Sequence, residues 1–173
     1  MNALVVPHVG EVHLAEVVGA LKDAEQYGWR VHVEPLGLGA DAYWRSLCRW
    51  WESCAKGRQG LMLVEHDVVV YDDVLRQLDE CPEPLCAFTY WIGNAYGYGL
   101  GCTRFRGSLI RLHRDAVERA GRLTNDGLPV VGHWKRMDTR LWQLLGRPHV
   151  HEPPVKHLHD YPLREPGWTS AST

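Results

Sequence analysis

Residues 61–70 read LMLVEHDVVV, and this stretch decides the predicted fold. Its leading apolar residues predict a buried strand, which Glu65, His66 and Asp67 interrupt before the apolar pattern resumes. Removing a carboxylate from water costs several kcal/mol unless the group is paired or bound to a metal. We therefore expect Glu65 and Asp67 at the carboxyl end of the strand, where open α/β sheets bind ligands.

The spacing of these polar residues indicates a metal site. If side chains continue to alternate along the strand, Glu65 and Asp67 point to one face and His66 to the other. Two carboxylates on one face offer hard oxygen ligands to a divalent cation. A solvated acidic cluster at the start of a loop is the alternative interpretation.

The sequence before this stretch alternates between strand and helix patterns. Residues 2–9 and 29–36 are predicted strands, and residues 11–27 and 42–56 carry apolar side chains at helical spacing. Such βαβαβ alternation predicts parallel strands joined by helical crossovers. The predicted fold class is α/β, with a Rossmann-like, mostly parallel sheet flanked by helices in three layers.

The second half of the chain has a less regular pattern. The glycine-rich residues 93–101 predict an irregular loop, either a lid or ordinary surface. The other predicted elements are a short helix at 71–78, strands at 85–92 and 105–112, and helices at 114–120 and 134–145.

Length and composition indicate one globular domain. A chain of 173 residues, 45% hydrophobic and 23% charged, can build a sizeable core. We assign residues 1–162 to this domain and expect residues 163–173 to form a flexible tail. No apolar run approaches the ~18 residues of a membrane span, and the amino terminus lacks the basic region of a signal peptide. We expect a cytoplasmic protein without a membrane partner.

Charge and cysteine content disfavour several classes of function. The net charge of −2 supplies no general attraction for nucleic-acid phosphates. The five cysteines show no CxxC spacing, which predicts neither a disulfide framework nor a thiolate zinc site.

Four further candidate residues lie later in the chain. His157 and His159 project to one side of an extended segment and are candidate metal ligands, or simply polar residues of a tail. Asp138 lies near the start of a predicted helix. A carboxylate there either complements the helix dipole or acts as a general base toward an acceptor hydroxyl. Arg104 is a candidate for binding phosphate groups.

Together these features resemble the GT-A-type nucleotide-sugar glycosyltransferases over nearly the whole chain. The resemblance rests on the βαβα approach, the strand that runs into Glu65-His66-Asp67, the Arg-Phe-Arg-Gly-Ser stretch at 104–108, the helix with Asp138 and the late histidines. In that family an Asp-x-Asp motif after the central strand binds the metal and the nucleotide sugar. The resemblance implies a GT-A-like single domain with Glu-His-Asp in place of this motif.

The resemblance also implies roles for individual residues. Asp67 matches the direct metal ligand, whereas Glu65 replaces the first aspartate and contacts either the metal or the ribose. His157 or His159 matches the late histidine that completes the metal shell. Asp138 matches the family's acidic residue near the acceptor, although the usual Glu-Asp pair is Met-Asp here.

The implied donor site includes Pro7, His8 and Asp41, which match positions that hold uracil and ribose in the family. The full set of implied donor-binding residues is Pro7, His8, Asp41, Glu65, His66 and Arg104.

The expected function is a transferase that uses Mn²⁺ or Mg²⁺ to move a sugar from a nucleoside-diphosphate sugar, most simply a UDP-sugar, to an acceptor hydroxyl. The acceptor is a protein, a glycan, a small molecule or a modified nucleic-acid base. The alternatives are a nucleotidyltransferase-like metal-dependent enzyme and a non-catalytic carbohydrate- or nucleotide-binding module. Residues 7–10 match the phosphate loop of a nucleotidyltransferase poorly.

Overall fold

A six-stranded sheet forms the centre of the molecule, with helices on both faces. The computed structural model describes residues 1–10, 13–92, 95–123, 132–133, 136–152 and 155–158. The described elements of the first half are β1 (Asn2–His8), α1 (Leu14–Ala20), a 3-10 helix (Ala24–Tyr27), β2 (Trp29–Pro35), α2 (Ala42–Gly57), β3 (Leu61–Val64), β4 (Val68–Val69) and α3 (Asp72–Glu80). Those of the second half are β5 (Leu85–Phe88), β6 (Tyr90–Ile92), β7 (Ala95–Gly97), β8 (Cys102–Phe105), α4 (Gly107–Leu112), α5 (Ala116–Arg122), α6 (Met137–Leu145), β9 (His149–His151) and β10 (Lys156–His157).

The strand order of the central sheet is β2-β1-β3-β8-β5-β9. Strand β1 is parallel to β2 and β3, and β5 is parallel to β9. Only β8 among these six strands runs antiparallel to its neighbours. The predicted α/β fold class, a single domain with a mostly parallel sheet between helices, is confirmed.

Side chains of the central strands alternate between two apolar cores. Leu4 and Met62 lie in one core, which α1, the 3-10 helix and α3 cover. Val5 and Leu63 lie in the other, beneath α2, α4, α5 and α6. Because both faces are covered, β1 and β3 have nearly continuous apolar sequences. Neither β1 nor β3 therefore carries an Asp, Glu, Lys or Arg side chain.

The predicted strand at 105–112 is wrong. Strand β8 ends at Phe105, and residues 107–112 form α4. The cause lies in the neighbouring strands, because β3 and β5 both begin opposite Phe105 and offer no pairing partner beyond it. Without a partner strand the backbone satisfies its own hydrogen bonds by turning into a helix.

Other predicted elements differ in extent. The predicted helix at 11–27 is divided into α1 and the 3-10 helix, since the Leu21 N–H bonds to the Val18 carbonyl and closes the last turn. The predicted loop at 93–101 contains β7, which pairs with β6 in a hairpin. Strand β9 occupies a sheet edge that no predicted strand filled. The proposed tail, residues 163–173, lies outside the described residues.

None of the described helices is both long enough and apolar enough to cross a bilayer.

Two helix glycines give a matched test of this packing. A Cβ on Gly121 of α5 would lie 2.2 Å from Nε1 of Trp44, whereas a Cβ on Gly19 of α1 meets nothing within 4 Å. We expect Gly121→Ala to lower the free energy of unfolding by about 1–3 kcal/mol, the usual cost of overpacking. Gly19→Ala should leave it unchanged or raise it by up to about 1 kcal/mol.

Urea unfolding followed by circular dichroism measures both effects. Equal stability of the two variants would contradict the described packing of α5 on Trp44.

Candidate functional site

The candidate site lies at the carboxyl ends of β1, β2 and β3, which share one edge of the sheet because these strands are parallel. Glu65 follows β3 directly, and residues 66 and 67 form a turn before β4. The Val68 N–H donates to the Glu65 carbonyl at 3.0 Å and closes this turn. The strand alternation assumed from the sequence therefore stops at Val64, and the turn brings the carboxylates together.

The carboxyl-terminal segment supplies the imidazole. Strand β10 pairs antiparallel with β4, so that His157 lies opposite Val68. The Leu158 N–H donates to the Asp67 carbonyl at 2.7 Å and extends this pairing. As a result, Nε2 of His157 lies 3.1 Å from Oδ2 of Asp67. The structure thus joins two predicted metal ligands that are distant in sequence; His159 lies outside the described residues.

Asp67 is ionised and only partly satisfied. Burial opposes its ionisation, but the hydrogen bond and charge of His157 outweigh this and hold the pKa of Asp67 below its usual range. Its other oxygen, Oδ1, is buried and has no hydrogen-bond partner among the described residues. A buried carboxylate oxygen without a donor is costly unless it binds a cation.

Glu65 has the opposite electrostatic character. Burial, followed by the negative charge of Asp67, raises the pKa of Glu65 to about 7. Its backbone N–H donates to the Gly101 carbonyl at 2.9 Å. The Tyr43 hydroxyl, carried by α2, lies beside the Glu65 carboxyl group, and burial and the Glu65 charge raise the pKa of Tyr43 well above its usual range. That hydroxyl makes no hydrogen bond of ordinary geometry with a described residue.

Asp138 and Tyr90 complete the site, and Gly99 allows their approach. A Cβ on Gly99 would lie 2.5 Å from the Tyr90 hydroxyl and 2.9 Å from Oδ2 of Asp138. The Tyr90 ring also packs on the His157 ring, with centroids 5.3 Å apart. The charge of Asp138 contributes to the raised pKa of Glu65, after burial and Asp67. We call Glu65, Asp67, Asp138 and His157 the carboxylate cluster.

The sequence patterns did not identify Tyr43 and Tyr90 as residues of the site. Tyr43 reads as an apolar residue of a helix, and Tyr90 reads as part of a strand. Their shared site depends on long-range packing, which no spacing of the two residues indicates.

Four implied donor-binding residues surround the same sheet edge. Pro7 and His8 end β1, and Nδ1 of His8 lies 2.9 Å from the Gly10 carbonyl. His66 forms a hydrogen bond with the backbone of Pro7, and burial lowers the pKa of its imidazole. Asp41 lies at the start of α2, where its carboxylate binds Arg45 at 2.5 Å instead of capping the helix.

Arg104 lies away from the carboxylate cluster. It is buried in β8, and its guanidinium donates to the carbonyls of Cys81 and Glu83 at 2.9 and 3.0 Å. These residues precede β5, so the guanidinium faces the amino ends of the parallel strands. The structure therefore does not bring Arg104 to the other predicted site residues.

Within the carboxylate cluster, Asp67 and His157 form a donor pair whose chemistry suits Mn²⁺. Carboxylate oxygens suit Mn²⁺ and Mg²⁺, and imidazole suits manganese. Adjacent ligands of an octahedral ion lie about 3 Å apart when each is about 2.1 Å from the metal. The 3.1 Å between Nε2 of His157 and Oδ2 of Asp67 agrees with this spacing. The buried Oδ1 of Asp67 offers a further ligand atom.

The raised pKa of Glu65 predicts a pH-dependent stability of the metal-free protein. The native state holds this proton up to about pH 7, whereas an unperturbed glutamate loses it near 4.5. Raising the pH from 4.5 to about 7 therefore costs native stability through Glu65, and above 7 this cost is constant. Glu65→Gln has no carboxyl proton to lose and so avoids this cost. Its melting temperature should therefore exceed that of the wild type, and the difference should grow as the pH rises from 4.5 to about 7.

Thermal unfolding in EDTA measures the difference, with the exposed Glu118→Gln as a surface control. A difference between Glu65→Gln and wild type that stays constant with pH would contradict the described burial of Glu65.

The fold is similar to those of two solved glycosyltransferases. One is a glycosyltransferase involved in the glycosylation of the major capsid of PBCV-1, with a TM-score of 0.57 and 13% identity, covering 88% of this chain and 82% of that one. The other is the glycosyltransferase GlyE of Streptococcus pneumoniae TIGR4, with a TM-score of 0.53 and 11% identity, covering 87% of this chain and 45% of that one. No protein-family model and no curated protein matches the sequence. At this level of identity the comparison shows a shared fold.

Proposed function

We propose that this chain is a metal-dependent glycosyltransferase of the GT-A type, which moves a sugar from a nucleoside-diphosphate sugar to an acceptor hydroxyl. The observation that carries the proposal is the convergence of Asp67, His157 and Asp138 at the carboxyl edge of the sheet. Open α/β sheets bind ligands at this edge. The similarity to two glycosyltransferase folds supports the same interpretation.

Asp67, His157 and Glu65 would hold the cation. Bound there, Mn²⁺ or Mg²⁺ neutralises the negative charge that develops on the diphosphate leaving group. Glu65 must lose its proton to act as a ligand. Its pKa of about 7 means that cation binding competes with a proton near neutral pH.

Asp138 would accept a proton from the acceptor hydroxyl. Its Oδ1 takes a hydrogen bond from the Thr139 N–H at 2.7 Å, which fixes the carboxylate. Its Oδ2 faces the space beside Gly99 and the Tyr90 hydroxyl. A carboxylate in hydrogen-bond reach of an acceptor hydroxyl removes its proton as the glycosidic bond forms. Reaction through such a base inverts the configuration of the transferred sugar.

The donor would lie along the sheet edge, with its nucleoside near Pro7, His8, Asp41 and His66. The β6–β7 hairpin starts at Tyr90, which lies beside Gly99, and would contact the acceptor. The chemical class of the acceptor stays open among protein, glycan, small molecule and modified base.

Asp67→Asn tests the metal-dependent step. The change keeps the side-chain shape but removes the charge that attracts the cation, so Mn²⁺-dependent binding of a nucleoside diphosphate and hydrolysis of nucleotide sugars should both be lost. Thermal shift with UDP, GDP and the corresponding sugars, with and without Mn²⁺, measures binding. Asp73→Asn on the exposed face of α3 is the matched control and should behave like the wild type.

Normal Mn²⁺-dependent turnover by Asp67→Asn would refute the assignment. Donor binding by the wild type without hydrolysis or transfer across a panel of acceptors would favour a non-catalytic binding module instead. Transfer of a nucleotidyl group from a nucleoside triphosphate, with release of pyrophosphate, would favour the nucleotidyltransferase alternative.

Asp138→Asn tests the role of Asp138 as the general base separately from donor binding. We expect transfer to fall by about 10²–10⁴-fold, the usual contribution of a general base, while the Mn²⁺-dependent thermal shift with donor is retained. Asp115→Asn, at the start of α5 and exposed, is the control. Steady-state kinetics of transfer measures the effect, and an Asp138→Asn enzyme with wild-type kcat would exclude Asp138 as the base.

A further inference from the structure

A second cluster of metal-binding residues lies apart from the carboxylate cluster. Cys81 follows the end of α3, Cys86 lies in β5, and His151 lies in β9. One ligand atom of each of these residues lies within 4.8 Å of the other two. Both cysteines are buried and the histidine is partly buried. The sheet register explains the approach, since Cys86 lies opposite His149 and Phe88 opposite His151.

We propose that Cys81, Cys86 and His151 bind a zinc ion. Two thiolates and an imidazole are the donor types of protein zinc sites, in which two cysteines separated by two to four residues are common. Four residues separate Cys81 from Cys86. Three protein ligands leave the fourth tetrahedral position to water.

The distances fit this ion after a small adjustment. The two sulfur atoms lie 2.6 Å apart, and both cysteines are free. Sulfur ligands about 2.3 Å from a tetrahedral zinc ion lie about 3.8 Å apart. Binding therefore requires the two sulfur atoms to move apart by about 1 Å.

Burial, followed by the hydrogen bond with Cys81, raises the pKa of the Cys86 thiol to about 12, and Arg104 partly offsets this. Nη2 of Arg104 lies 3.1 Å from Sγ of Cys86 and donates toward it. Hydrogen bonds from such second-shell groups stabilise a metal-bound thiolate. Two thiolates cancel the charge of Zn²⁺, so the bound ion adds no net charge to this buried place.

His151 is the third proposed ligand. Its ring stacks on Phe88, with centroids 5.1 Å apart and planes inclined by 19°. Its Nε2 is buried and has no hydrogen-bond partner among the described residues. Ligation gives a purpose to a histidine whose buried nitrogen is otherwise costly.

A zinc ion bound there would link the edge strand β9 to β5 and to the end of α3. The chain continues from β9 to β10, which carries His157. The proposed zinc site does not rest on the proposed transferase function, because its ligands and its metal differ from those of the carboxylate cluster.

Cobalt substitution tests the site directly. The whole chain is reduced, stripped of metal with a chelator and titrated with Co²⁺, whose thiolate complexes show a sulfur-to-cobalt charge-transfer absorption. We expect this band to saturate at one equivalent and to be displaced by Zn²⁺. Oxygen and imidazole ligands give no such band, so the result is independent of the carboxylate cluster.

Variants locate the ligands. Cys86→Ser and His151→Ala should each weaken Co²⁺ affinity by tenfold or more, whereas Cys102→Ser, at a buried cysteine of β8 outside the cluster, should leave it unchanged. Absence of the charge-transfer band in the reduced wild type would overturn the proposal.

Discussion

The antiparallel pairing of β10 with β4 is the constraint on which the candidate site depends. It fixes His157 opposite Val68 and so places Nε2 of His157 3.1 Å from Oδ2 of Asp67. The parallel strands β1 to β3 provide the open sheet edge, and β3 leads directly into Glu65 and Asp67 there. The imidazole arrives through a two-stranded pairing outside the central sheet, which makes the carboxyl-terminal segment part of the site.

Several acidic side chains lie close together at this edge of the sheet, and their mutual repulsion and burial cost native stability. Asp67 is held ionised by His157, while Glu65 beside it has a pKa of about 7 and the Tyr43 and Tyr90 hydroxyls resist ionisation. Like charges placed together under partial burial destabilise the native state. Such arrangements are found where a cation or a reacting group offsets the cost. The proposed transferase mechanism gives this function to a divalent metal and to Asp138.

Local sequence determined one half of the site and not the other. Charges that interrupt an apolar strand located Glu65 and Asp67 because burial physics confines carboxylates to strand ends. Their convergence, however, comes from a turn after Val64, where strand alternation had been expected. Pairing between segments that are distant in sequence is not visible in local sequence patterns. For this reason β8, β9 and the approach of Tyr90 to Asp138 were not predicted. The cluster of Cys81, Cys86 and His151 escaped for the same reason, since a distant strand supplies its histidine.

The coordination of one cation by Asp67 and His157 is tested most directly by pulsed electron paramagnetic resonance on the protein loaded with Mn²⁺. The wild type should show coupling of the manganese electron spin to a histidine nitrogen, His157→Gln should lose that coupling, and Asp67→Asn should bind the ion weakly. A wild-type protein that binds Mn²⁺ tightly without nitrogen coupling, or one whose coupling persists in His157→Gln, would contradict the site described above.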